Sequence, residues 1–146
     1  MKTAVLLLSS LLAFPVFTSA EVATEHAVLD GAEEALCFSS GMTAICILMM
    51  TYASANDVIV HSGPLYAASE GFVAKVLSRF GVTYVDFPAG ATRAELDAVL
   101  AKAKAQASAQ GGKVAMIYLE SPANPTNALV DIAACARVCD VLEKET

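Results

Sequence analysis

The spacing of apolar positions changes several times along this chain, and each change marks an element. Ala23, Ala27, Leu29, Ala32, Ala35 and Leu36 recur at helical spacing, interrupted at Gly31, which predicts one or two short helices over 22–36. A brief strand at Cys37-Phe38 is expected next. Ser39-Ser40 then precede Gly41-Met42 and an apolar helical pattern running to about Tyr52, so a serine caps a helix start there. Polar Ser54-Ala55-Asn56-Asp57 breaks that pattern. Beyond it the chain alternates, extended over 58–61, 82–86 and 114–120, helical over 65–80, 93–106 and 131–145.

This alternation predicts parallel strands joined by helices, an α/β fold of three layers, α/β/α, around a mostly parallel sheet. Val58-Ile59-Val60 and Val114-Ala115-Met116-Ile117-Tyr118-Leu119 are apolar on both faces, as strands are when helices cover both sides of their sheet. They are the predicted core. The Ala/Lys/Gln-rich stretch 101–112, closing on Gly111-Gly112, reads as the end of a solvated surface helix.

Residues 1–20 stand apart. Met1-Lys2, an apolar run from Ala4 to Phe17 and small residues Thr18, Ser19 and Ala20 have the order of a secretory leader cut after Ala20. A membrane-skimming N-terminus is the alternative reading. Residues 21–146 then form one domain, for which 146 residues in all suffice.

Composition narrows the classes of function. A formal charge of −6 and the lack of a basic stripe argue against nucleic acid as a partner, since phosphate backbones are gripped by clustered Lys and Arg. No other apolar run is long and uncharged enough to span a membrane. A hydrophobic fraction of 56% argues against disorder. The four cysteines form neither a CxxC nor a disulfide framework, and His26 and His61 are isolated, so the cysteines read as small buried hydrophobes and no metal site is expected.

Ligands of a parallel sheet collect beyond the carboxyl ends of its strands, which singles out three stretches. Ser39-Ser40-Gly41-Met42 opens a helix whose first N–H groups and dipole favour an anion, and Gly41 lets a phosphate come close. Tyr66 follows the strand ending at His61 and offers a ring for stacking on a flat heteroaromatic cofactor. Glu120-Ser121-Pro122-Ala123-Asn124-Pro125-Thr126 follows the strongest strand, and its prolines stiffen the backbone so that the Asn124 amide is held in place. Each stretch alone is equally readable as an ordinary cap, a packing residue or a rigid turn.

Together, Leu29-Asp30-Gly31-Ala32-Glu33-Glu34-Ala35-Leu36, Phe38-Ser39-Ser40-Gly41-Met42, Pro64-Leu65-Tyr66, the 120–126 motif and Val130-Asp131-Ile132 resemble the large domain of one family. It is the trans-sulfuration family of pyridoxal-phosphate enzymes, which includes cystathionine lyases and synthases, methionine gamma-lyase and homoserine sulfhydrylases. The resemblance implies part of the fold-type-I, aminotransferase-like large domain, and pyridoxal 5'-phosphate as cofactor. It assigns the cofactor phosphate to Ser40 and the N–H groups of Gly41 and Met42, ring stacking to Tyr66, and the ring hydroxyl to Asn124, with Glu120 and Ser121 shaping the strand end. Ala67-Ala68 depart from the two glycines usual in the family, which points to a tighter or shifted chain behind Tyr66.

The resemblance also implies a sulfur-containing amino-acid substrate, elimination or replacement at its gamma carbon, a homotetramer and a cytoplasmic location, at odds with the leader. The lysine that links the cofactor and the aspartate facing its ring nitrogen are expected beyond Thr146. No residue of this chain is therefore assigned as catalytic, and the chain alone is expected to be inactive. The competing readings are an exported, non-catalytic α/β fragment that associates through a sheet edge, and the product of a broken reading frame.

Overall fold

The computed structural model describes residues 27, 28, 31 and 33–144. The leader-like residues 1–20 and most of the helical pattern over 22–36 lie outside the described residues. The chain divides into two compact units between Ile45 and Cys46.

In the first unit, Ala27 and Val28 are helical, and Gly31, at φ +64, donates its N–H to the Val28 carbonyl in a turn. Residues 34–38 form no regular structure. The strand expected at Cys37-Phe38 is therefore not formed, and both residues are exposed and pair with no strand among the described residues. Helix α1, Gly41–Tyr52, begins in this unit and ends in the second. Its start has the expected serine cap: Ser40 Oγ accepts the Thr43 N–H at 3.1 Å.

The second unit holds a parallel sheet of β1 (Val58–Gly63), β2 (Thr83–Pro88) and β3 (Val114–Tyr118), in the order β2-β1-β3. Helix α2 (Ala67–Gly71) continues through a π turn, Phe72–Val76, and a 3₁₀ turn, Leu77–Phe80, to connect β1 with β2. Helix α3 (Arg93–Ala109) connects β2 with β3, and α4 (Ile132–Lys144) follows the long turn after β3. Because β2 and β3 lie on opposite sides of β1, right-handed crossovers put the α2 segment and α3 on opposite faces. The chain therefore has the expected α/β architecture, with a parallel sheet between helices.

Alternation along β1 assigns its side chains to the two faces. Val58 and Val60 join Val85 and Phe87 against Leu96, Leu100, Ala103 and Ala107 of α3 and against Ala134, Cys135 and Val138 of α4. Each large side chain buried this way contributes roughly 1.5–3 kcal/mol. Ile59 and His61 point to the opposite face, where the His61 ring lies 5.3 Å from that of Tyr84. The stretch after 101 is thus not merely a solvated surface. Ala103 and Ala107 are buried in the core, and their burial carries α3 three residues past the predicted end.

At the amino edge of the sheet, Asp57 is buried and its carboxylate accepts the Ser54 N–H at 2.9 Å and the Lys113 N–H at 3.0 Å. Its carbonyl accepts the Thr83 N–H at 2.9 Å, so one residue ties the starts of all three strands together. Gly112 passes so near this point that a β-carbon on it would lie 1.8 Å from the Asn56 carbonyl oxygen. The amino edge is closed by backbone, which leaves the carboxyl edge for chemistry.

Candidate active site

The carboxyl edge is built from the last residues of β1 and β3 and from the turns that leave them. Tyr66 occupies the N-cap position of α2 (φ −53°, ψ 135°), and its own side chain makes no cap hydrogen bond. Its N–H instead donates to Glu120 Oε2 at 2.5 Å, across 54 residues of sequence. The other carboxylate oxygen, Glu120 Oε1, accepts the Tyr118 hydroxyl at 3.0 Å. The Glu120 N–H donates to Ser62 Oγ at 3.2 Å, which explains why β3 ends at Tyr118 and not at 120 as predicted: this N–H is turned out of the ladder.

Tyr118 is itself buried and takes a further hydrogen bond from Ser69, a fully buried residue of α2. Burial, and then the neighbouring Glu120 charge, hold the Tyr118 hydroxyl protonated well above the usual tyrosine range. The first turn of α2 is thus anchored to β3 at two points, Tyr66 and Ser69. The Tyr66 ring remains 42% exposed. Ala67 and Ala68 are helical and exposed, so their methyl groups meet solvent and do not tighten the chain behind Tyr66.

After β3 the chain passes through a turn of which the backbone is fixed at three points. Val130 N–H donates to Ser121 Oγ at 3.1 Å, Ala123 N–H to the Ala128 carbonyl at 2.9 Å, and Asn127 N–H to the Ala123 carbonyl at 2.7 Å. The Ser121-Pro122 and Asn124-Pro125 peptide bonds are cis. Asn124 is exposed, and its amide makes no hydrogen bond among the described residues. These hydrogen bonds tie the backbone around Asn124, while the amide expected to be held in place makes none among the described residues.

Of the predicted site residues, Tyr66 and Glu120 are in direct contact, and Asn124 follows Glu120 on the same pinned turn. Both Glu120 oxygens accept protein donors, which sets its carboxylate against the Tyr66 N–H and the Tyr118 hydroxyl. Ser40, Gly41 and Met42 stand at the exposed start of α1, where Ser40 Oγ serves Thr43 and makes a 2.8 Å contact with Thr43 Oγ1. Sequence reasoning missed Ser62, Ser69 and Tyr118. Tyr118 could have been found two residues before Glu120, on the same face of an extended chain, but Ser62 and Ser69 carry no signal outside the fold.

The other candidates have simpler surroundings. All four cysteines are free; Cys135 is buried, Cys46 and Cys139 are half-buried, and Cys37 is exposed, against the expectation that all are buried. Burial pushes the Cys135 thiol up, with the nearby Cys139 and Asp131 adding to it, and burial pushes up Cys46 as well. His61 is buried; its Nδ1 contacts the Ser62 carbonyl oxygen at 2.9 Å and its Nε2 has no hydrogen-bond partner among the described residues. No described helix is long and apolar enough to cross a membrane.

The profile of the Cys/Met metabolism PLP-dependent enzyme family matches residues 16–143. The chain belongs to this family. Pyridoxal phosphate is accordingly its cofactor, and the exposed Tyr66 ring and open Asn124 amide at the carboxyl edge suit a flat, polar ring. Over 112 residues the chain is 34% identical to O-succinylhomoserine sulfhydrylase of Pseudomonas aeruginosa, covering 77% of this chain and 25% of that one. Over 128 residues it is 35% identical to L-methionine gamma-lyase of Porphyromonas gingivalis, covering 85% and 28%. Its fold matches a crystal structure of the O-acetylhomoserine (thiol)-lyase of Campylobacter jejuni, which contains a pyridoxyl-lysine phosphate. That match has a TM-score of 0.70 at 21% identity and covers 84% of this chain and 27% of the other. The chain spans about a quarter of the length of the curated relatives it matches.

Proposed function

We propose that this chain supplies the ring-binding wall of a pyridoxal-phosphate-dependent lyase or transferase acting at the gamma carbon of a sulfur-containing amino acid. The observation that carries the reading is Tyr66, held by its backbone at the carboxyl edge of the sheet while the residue stays exposed. When bound, the cofactor supplies a conjugated ring that draws electrons from the alpha carbon of the amino acid. The residues of this chain bind and orient that ring. Tyr66 stacks on it and keeps water from one face, and the Asn124 amide holds the ring hydroxyl from a turn that cannot drift. The N–H groups of Gly41 and Met42, with Ser40, take the phosphate; that assignment rests on the sequence resemblance and on the serine-capped helix start.

Lys75, Lys102, Lys104 and Lys144 lie on helical segments and Lys113 at the amino end of β3, so among the described residues no lysine belongs to a turn leaving the carboxyl end of a strand. This supports the reading that the 146-residue chain alone binds the ring without a covalent link and does not turn over. The test is titration of the chain with pyridoxal phosphate, followed by absorbance and by borohydride reduction. Reversible binding is expected, weakened several-fold by Y66A and by N124A, with no single lysine labelled stoichiometrically. Binding unchanged in both variants, or one lysine fully labelled, would overturn the reading.

A further inference from the structure

We propose that Glu120 is the positioning residue for Tyr66, acting as a remote helix cap that fixes where the aromatic ring stands. The inference deepens the proposed function, since the importance of that ring rests on it. Three observations carry it. The Tyr66 N–H is the donor at the start of α2, the Tyr66 side chain makes no cap hydrogen bond, and Glu120 Oε2, 54 residues on, accepts that N–H at 2.5 Å. The same carboxylate is fixed by the buried Tyr118 hydroxyl at 3.0 Å, and its backbone by Ser62 Oγ at 3.2 Å. Tyr118 in turn bonds Ser69, three residues along α2 from Tyr66, so the contact is a closed ring of bonds and not a single strut.

The charge suits the place. A carboxylate beside the opening of a helix is favoured by the dipole, and a hydrogen bond to an ionised acceptor is stronger than a neutral one. The geometry explains an otherwise odd feature, an acidic residue at the carboxyl edge whose two oxygens each accept a protein donor. Its effect on a bound ring passes through Tyr66. Glutamine at the same place would keep both contacts without charge, its carbonyl accepting from Tyr66 N–H and its amide donating to the Tyr118 oxygen.

Two measurements on the full chain test this. Amide hydrogen exchange, read by NMR without ligand, should be about tenfold faster at Tyr66 in E120A than in the wild type. It should stay within about threefold in E120Q, with the amide of Val60 in the core unchanged in both. The second measurement is a double-mutant cycle on pyridoxal phosphate affinity. E120A should weaken binding several-fold and by no more than Y66A does, E120Q should restore most of it, and adding E120A to Y66A should change affinity less than twofold. Unaltered Tyr66 exchange in E120A, or the same loss from E120A with and without the Tyr66 ring, would overturn the assignment. If the wild-type chain does not bind pyridoxal phosphate, the proposed function fails, and the exchange measurement still decides the role of Glu120.

Discussion

Tyr118 shows how one hydroxyl reports on its surroundings. Burial is the main reason it resists ionisation, and the Glu120 carboxylate is the next. A group whose value is raised on folding adds stability that is fully present below its unfolded value, about 10 for tyrosine, and is lost as pH rises through the raised one. Stability of the chain is therefore expected to fall on the alkaline side above about pH 10. Replacing Glu120 with glutamine removes the charge and leaves the burial. In E120Q, Tyr118 should ionise at lower pH than in the wild type yet still above an ordinary tyrosine. Tyrosinate absorbance as a function of pH, with Y118F to identify the signal, checks this; coincident titrations of wild type and E120Q would contradict it. At the same scale, the sequence singled out Tyr66 and Asn124 as candidates because both follow apolar strands. It could not disclose that Glu120 faces inward to protein donors, because its partner Tyr66 is 54 residues away.

Among the elements, α3 was legible from sequence as a helix over 93–106, while the burial of Ala103 and Ala107 on the face of Leu96 and Leu100 was not. Its start carries a further signal that the apolar pattern alone passes over. Thr92 Oγ1 accepts the Glu95 N–H while Glu95 Oε2 accepts the Thr92 N–H at 2.7 Å, a complete capping box. The Thr92 backbone N–H, and then its side chain, hold the Glu95 carboxyl below the usual carboxylate range. A carboxylate lowered in this way adds stability above its unfolded value that is lost as pH falls. T92A is therefore expected to lower stability by about 1 kcal/mol at neutral pH and to make the acid side of the stability profile shallower. Denaturant midpoints at neutral and acid pH measure both; an equal loss at every pH would contradict the second part. The α2 segment was less legible. The periodicity predicts a single helix over 65–80, whereas the chain tightens and loosens through α, π and 3₁₀ turns before Gly81, at φ +78, closes it. We have no physical account of the π turn.

The molecule separates its two sheet edges by task. At the amino edge Asp57 and Gly112 pack backbone against backbone, and at the carboxyl edge Tyr66 and Asn124 remain open. Removing the Asp57 carboxylate strands two backbone donors, those of Ser54 and Lys113. D57A is expected to destabilise the fold by about 1–3 kcal/mol, with D57N in between because its amide oxygen still accepts one of them. Urea midpoints of the three proteins at an unchanged m-value measure this, and a D57A midpoint equal to the wild type would show that the tie is not needed.

The sequence by itself determined the α/β alternation, the parallel sheet, the helix start at Ser40 and the family to which the chain belongs. These depend on local periodicity, on capping and on short motifs, all written in neighbouring residues. Tertiary structure alone decided that 103 and 107 are core, that 37 and 38 form no strand, that β3 stops at Tyr118, and that Glu120 serves Tyr66. Each of these depends on what a residue meets after the chain has crossed the sheet and returned. A hydrogen bond spanning 54 residues leaves no periodic trace along the sequence.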